Sequence, residues 1–513
     1  MQEWAESQYA TEKVRVIYKY LSQKRLIKDL IEAGIVGLGE NGRFDSQKIN
    51  GQPYEKAIVR FMVIGVERGV AETWKDTILI GAYTKYYLSQ QQGRMDLCYA
   101  TGKKNMVSEN HPKGIVASDY GAKIVSANDE HGYTFRGRFQ NASQAYALSY
   151  EASQKIHSAL TWLIKTQGVY VGNQDKRMFI CWNPNGKKAP NIFKAFEFDE
   201  DEKNSISEDF QKNFQKKLIK TFQGYRKQFD PKDKVIIMGL DAATTGRLSI
   251  TYYCELAASD FLDRITYWGE TCNWLYLKVN MQKTPYYSVE TPIFRRIIEY
   301  AFGTEKGNFI EADDKVLKEH TQRLVKCMME KQPVPFDIIQ ALVIRASTPL
   351  AYSRWNRECI LSTACALIVK YYYDRGKKGD YDVMKLDIEN RDRSYLFGRL
   401  LAVYELIERI TYDGDEKREP NAIRLQSVYV NHPLQTCRTL ESLVNPYLQK
   451  LTPGAREYYR KIISQIMDLI QDEDIQKLNQ RLKETYLLGY YLQRAELTKK
   501  KETSKSKEEK KDE

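Results

Sequence analysis

Residues 234–256 read KVIIMGLDAATTGRLSITYYCEL, and the fold class turns on them. In the second half Leu248, Ile250, Tyr252 and Cys254 alternate with Ser249, Thr251 and Tyr253, the period-two pattern of a strand with one buried face. Lys234–Leu240 is a short apolar run, and Asp241–Gly246 supplies a glycine turn between the two halves. An antiparallel hairpin follows. Another strand is expected at Arg177–Trp182.

Away from the hairpin the period becomes helical. Val14, Ile17, Leu21, Leu26, Ile27, Leu30 and Ile31 follow helical steps, and Gly34 or Gly37 ends the run. Val59–Val66 is an apolar segment that reads as strand or buried helix, Trp74–Leu88 as helix and Met95–Ser126 as turn-rich loop. From about Pro285 to the end the pattern is helical, interrupted at Pro292, Pro333, Pro335 and Pro349. Arg375–Asp380 is a polar break, followed by expected helices at 392–411, 421–430, 437–449, 454–470 and 476–497. The fold class expected is α+β: a mixed α/β body with an antiparallel hairpin, followed by an all-α C-terminal helical bundle. The domains expected are a mostly helical N-terminal module (1–94), an α+β domain with basic elements (95–275), a helical connecting domain (276–375), the C-terminal bundle (376–498) and a disordered charged tail (499–513).

The candidate nucleic-acid contacts centre on residues 128–164. In Gly132–Phe139, Arg136 and Arg138 share one face of an extended chain, with Phe135 and Phe139 beside them. Paired arginines edged by aromatics suit phosphate and nucleobase contact. A long helix follows, with Asn141 as expected N-cap, Gln144 at its third position and Gly168 at its end. Ala145, Leu148, Ala152, Ile156, Ala159 and Leu163 form the expected buried stripe, leaving Lys155 and Lys165 wet. Arg247, opening a strand after the Gly246 turn, and Arg264 complete the candidate set; Arg264 could instead pair with Asp260 or Asp263. A basic helix carrying Lys212, Lys216, Lys217, Lys220, Arg226 and Lys227 reads as a solvated face, with a nucleic-acid edge as the alternative.

The chain has 513 residues, enough for about three domains. Its net charge of +12 favours a polyanionic partner. Its eight cysteines include no CxxC pair and read as small buried apolar groups in a reducing cytosol. No apolar run approaches the ~20 residues of a membrane span, so a cytoplasmic protein is expected. Phosphate-loop, GxSxG and HExxH patterns are all missing. No catalytic residue, metal ligand or cofactor is assigned, and no enzymatic activity is expected.

Four blocks carry a family resemblance: Asn128–Ile164, Arg247–Leu256 with Ser259–Trp268, Asp392–Ala402 (DRSYLFGRLLA) and Arg418–Leu425 (REPNAIRL). With Asp96–Gly102 (DLCYATG), Asn110–Lys113 (NHPK) and Leu487–Arg494 (LLGYYLQR), the chain from about Trp4 to Arg494 resembles the large subunit of the type I-C CRISPR surveillance complex, Cascade. Family members carry a longer segment ahead of the point matching Trp4, so an N-terminal module is expected to be missing.

The resemblance implies a non-catalytic subunit in antiviral defence that binds target double-stranded DNA and the displaced strand, with a part in recognising the protospacer-adjacent motif. It also implies crRNA, the CRISPR backbone and crRNA-processing subunits, a small subunit and a recruited helicase–nuclease as partners. In this family the small subunit resembles the C-terminal bundle and arises from an internal start. Met384 follows the polar break, and a product from there would span 130 residues (384 to 513). The alternative is a stand-alone metal-dependent nuclease using acids such as Asp413 and Asp415.

Overall fold

The computed structural model describes the chain except residues 41, 66–69, 117–120, 126–138, 140–143, 145, 174–176, 198–209, 245, 280–284, 378–384, 413–417, 471–473 and 510–513. It divides into two compact units, Met1–Glu109 with Asn128–Ser153, and Asn110–Ala127 with Gln154–Glu513. The expected α+β class holds, with small antiparallel sheets and a helical C-terminal region.

The first unit carries α1 (Gln2–Glu6), α2 (Glu12–Ser22), α3 (Leu26–Glu32) and α4 (Thr77–Gln90). Thr11 caps α2 by accepting the Val14 N–H, and Asp76 caps α4 by accepting those of Ile78 and Leu79. Asp76 also pairs with Lys13, and both side chains are buried beside the small cluster of Ala5, Val14 and Leu79. Gly34, at φ +69°, closes α3 as the sequence predicts. Strands β1 (Lys48–Ile49) and β2 (Gln52–Pro53) turn at Asn50–Gly51, both at positive φ, and β3 (Met95–Leu97) pairs with β4 (Lys104–Met106). The apolar segment from Val59 is neither strand nor buried helix where described: Val59 and Ile64 are 44% and 81% exposed.

Helix α5 is shorter than the sequence suggests, running Tyr150–Gln167, while residues 146–149 are non-helical. Asn141 lies outside the described residues. The buried stripe is also rotated: Ser153, His157, Leu160 and Ile164 point inward, whereas Ile156 and Ala159 are exposed. The helix ends before Gly168 as expected, and the position needs glycine, because a Cβ there would meet the Ile164 carbonyl and the Met178 sulfur.

In the second unit β5 (Val169–Val171), β6 (Arg177–Trp182), β7 (Lys234–Thr244) and β8 (Arg247–Ala257) form an antiparallel sheet in that order. The expected hairpin is present, but its strands extend further, to a Thr244↔Arg247 pair. Beside the register shift at Gly239–Leu240, Ile250 remains exposed, so the alternation breaks there. Met178, Ile180, Leu240 and Leu248 face Leu160 and Ile164 of α5. Phe179, Val235 and Ile237 face the other way, onto α6 (Phe210–Arg226) and α7 (Ala258–Thr271). Helices therefore cover both faces, which is why β6 is buried almost throughout.

Beyond α7 the chain is not purely helical. Strands β9 (Trp274–Val279) and β10 (Pro285–Glu290) form a hairpin, then comes α8 (Phe294–Phe302), and β11 (Thr304–Lys306) pairs with β12 (Phe309–Glu311). Helices α9 (Asp314–Glu330), α10 (Phe336–Ala346) and α11 (Arg354–Asp374) follow. The C-terminal bundle contains α12 (Arg393–Arg409), α13 (Asn421–Arg424), α14 (Gln426–Asn431), α15 (Pro433–Lys450), α16 (Pro453–Leu469), α17 (Ile475–Leu478) and α18 (Tyr486–Glu509). α18 continues to Glu509 through the stretch where composition predicts disorder; Lys and Glu are good helix formers and extend turns already packed at 486–497. One apolar core runs from the sheet into the bundle, and Tyr491 Oη donates to the Leu275 carbonyl at 3.0 Å.

Candidate nucleic-acid interface

Arg136, Arg138 and Phe135 lie outside the described residues; Phe139 is exposed. The remaining candidates do not converge. Lys155 is exposed on α5, over one face of the sheet, and Arg264 sits on α7, over the other. Arg247 is exposed at the hairpin turn, where its residue bridges Lys123: the Leu248 N–H donates to the Lys123 carbonyl at 2.9 Å. Arg264 takes neither expected acid. Asp263 pairs with Arg226 instead, and the Arg264 Nε is buried without a hydrogen-bond partner. Arg264 is half-buried, and its positive charge acts on the buried Tyr252.

The family-like blocks are mostly scaffold. A Cβ on Gly398 would run into the Tyr486 carbonyl, and one on Gly489 into the Tyr395 carbonyl. DRSYLFGRLLA and LLGYYLQR are thus two helices in backbone contact, with a glycine from each at the crossing. Asp392 caps α12 and accepts the Thr485 hydroxyl at 2.9 Å, while Arg393 donates to the carbonyls of Leu478, Gln480 and Arg481. In REPNAIRL, Glu419 pairs with Arg357 at 2.8 Å, and the fully buried Glu408 accepts from the Asn421 N–H at 2.7 Å. In DLCYATG, the Cys98 sulfur accepts the Ser149 N–H at 3.2 Å. In NHPK, His111 stacks on His157 with ring centroids 6.0 Å apart, and burial pushes the His111 pKa down to about 4, helped by His157 and Lys123.

The surface best suited to nucleic acid is a cleft of about 520 Å³ between α5, residues 188–197 and α6. Trp162 of α5 is 60% exposed on it, Lys188 and Lys194 are exposed on the loop, and Tyr225 contributes from α6. α6 buries Phe214, Leu218 and Phe222, turning Lys212, Lys216 and Lys220 to solvent. Lys155 precedes Trp162 by seven residues, two helical turns, and so shares its face. An exposed indole amid lysines offers a base-stacking surface with phosphate-neutralising charge around it. The sequence signals for it were that Trp162 falls off the apolar stripe and that the basic helix, now α6, was open to a nucleic-acid edge.

The acids have local duties. Asp313 caps α9, Asp314 accepts the Asn173 N–H at 2.6 Å, and Glu255 pairs with Lys234 at 2.6 Å. Asp413 and Asp415 lie outside the described residues. Among the described residues no three His, Cys, Asp or Glu side chains cluster as metal ligands, and no helix is long and apolar enough to cross a membrane.

No curated protein matches the chain. A family model described as CRISPR-associated protein (Cas_Csd1) matches residues 1–498. With nearly its whole length matched, the chain belongs to the Cas_Csd1 family of CRISPR-associated proteins.

Proposed function

We propose that the chain is the large, non-catalytic subunit of a type I-C CRISPR RNA-guided effector complex, holding target duplex DNA and the displaced strand. Membership of a CRISPR-associated family supports this reading, and one observation carries it: Trp162 stands exposed in a cleft with Lys188 and Lys194. Lysines attract phosphate regardless of sequence and an indole stacks on any base, while pairing to crRNA supplies sequence choice. The partners are then crRNA, the backbone and crRNA-processing subunits, a small subunit and a recruited helicase–nuclease, all in the cytoplasm. Recognition of the protospacer-adjacent motif belongs to the same role.

The test uses the assembled complex. Trp162→Ala weakens binding to the displaced strand by roughly tenfold. Lys188→Ala with Lys194→Ala flattens the log–log salt dependence by about one to two units. Unchanged affinity and slope in both variants would remove the cleft from the interface. Mg²⁺-dependent cleavage by the chain alone, lost when a carboxylate is changed, would favour the nuclease reading.

A further inference from the structure

A second cavity, of about 770 Å³, lies in the C-terminal bundle between α12, α16, α18 and residues 385–388. Arg399 lines it and is only 5% exposed. Its Nε donates to Gln493 Oε1 at 3.0 Å and its Nη1 to the Ile388 carbonyl at 3.2 Å. Both acceptors are neutral. Among the described residues no carboxylate forms an ion pair with Arg399, and its Nη2 donates to no protein acceptor. A guanidinium removed from water is costly unless a negative group faces it. Burial accordingly draws the Arg399 pKa down, against the opposing influence of Tyr395, Asp387 and Glu389.

The rest of the lining indicates what would face it. Lys385 and Lys461 are exposed on the wall, so three cations there meet two acids, Asp387 and Glu496. Tyr458 is partly exposed, and Leu386 and Ile388 add apolar surface. One part of the cavity suits an anion and another a flat, weakly polar ring.

We propose that this cavity is a nucleotide site, with the phosphate held by Arg399 and Lys461 and the base against Tyr458 and Ile388. Its volume is in the range of small-ligand pockets, about 300–1,000 Å³. The chemistry is the same for a free nucleotide and for one residue of a strand. The site shares no element with the Trp162 cleft, and the inference does not rest on the function proposed above.

Calorimetric titration of the full chain with thymidine 5′-monophosphate, thymidine and a short oligothymidylate tests it. Saturable binding of the monophosphate, with thymidine at least roughly tenfold weaker, is expected. Arg399→Gln should weaken the monophosphate by roughly tenfold or more. Because Arg399 also ties Ile388 to the bundle, Lys461→Ala serves as the second variant; it lies on the surface and should cost roughly threefold. Competition by the oligothymidylate identifies a strand nucleotide as occupant, and its absence a free one. The inference is overturned if the monophosphate does not saturate, if thymidine binds equally well, or if Lys461→Ala leaves its affinity unchanged.

Discussion

Lys13 and Asp76 show how much a single pair carries where the core is small. Among the described residues the Lys13 ammonium reaches Asp76 and the Val70 carbonyl, at 2.7 Å to the latter, and Asp76 also caps α4. Asp76→Ala leaves a buried ammonium uncompensated and should cost ~3–5 kcal/mol, read as faster hydrogen exchange in α2 and α4. The Lys13 hydrogen bond holds the Asp76 carboxyl below its ordinary range against the effect of burial. Its contribution is therefore present above the unfolded aspartate pKa of ~3.9 and lost as pH falls through the lower folded value. His111 acts in a higher window. Its folded pKa of about 4 lies below the ordinary histidine value, so the unfolded state takes up a proton first as pH falls. Stability should drop by on the order of 1–3 kcal/mol between about pH 6.5 and 4. Urea midpoints at pH 7 and 4.5 check this, with a smaller difference expected for His111→Phe. At this scale the sequence was least legible. His157 is polar yet only 2% exposed, whereas Trp162 is apolar yet faces solvent, because α5 stacks one histidine on another and turns its indole outward.

Among the elements, the β7–β8 hairpin was legible because alternation and a glycine turn agree. The β9–β10 hairpin was not: Trp274–Tyr276 are all buried, so no alternation marks the strand. Bundle helices were legible from periodicity, but the reason two of them carry glycine is a matter of contact between distant segments. Gly398→Ala or Gly489→Ala forces α12 and α18 apart and should cost ~3 kcal/mol or more, measured by chemical denaturation of the full chain. The double variant should cost less than the sum, because the first substitution already opens the crossing.

On the scale of the whole molecule, the apolar core is continuous from the four-stranded sheet into the bundle. Arg494 of α18 pairs with Glu358 of α11, and Trp274 of β9 meets the Tyr491 ring at 5.4 Å. A fragment spanning 384–513 would expose that face of α18; it should be helical by circular dichroism and self-associate in sedimentation, unlike the full chain. Met384 itself lies outside the described residues. The proposed interface was legible in part, as net charge, a family likeness and the basic helix that becomes α6; Lys155, Arg247 and Arg264 lie on separate elements, and the cleft is assembled from α5, a loop and α6. The most direct measurement places a photo-crosslinking amino acid at position 162 in the assembled complex on target DNA. A covalent adduct with the DNA is expected, most of it on the displaced strand. Adducts confined to protein subunits, with DNA bound normally, would contradict it.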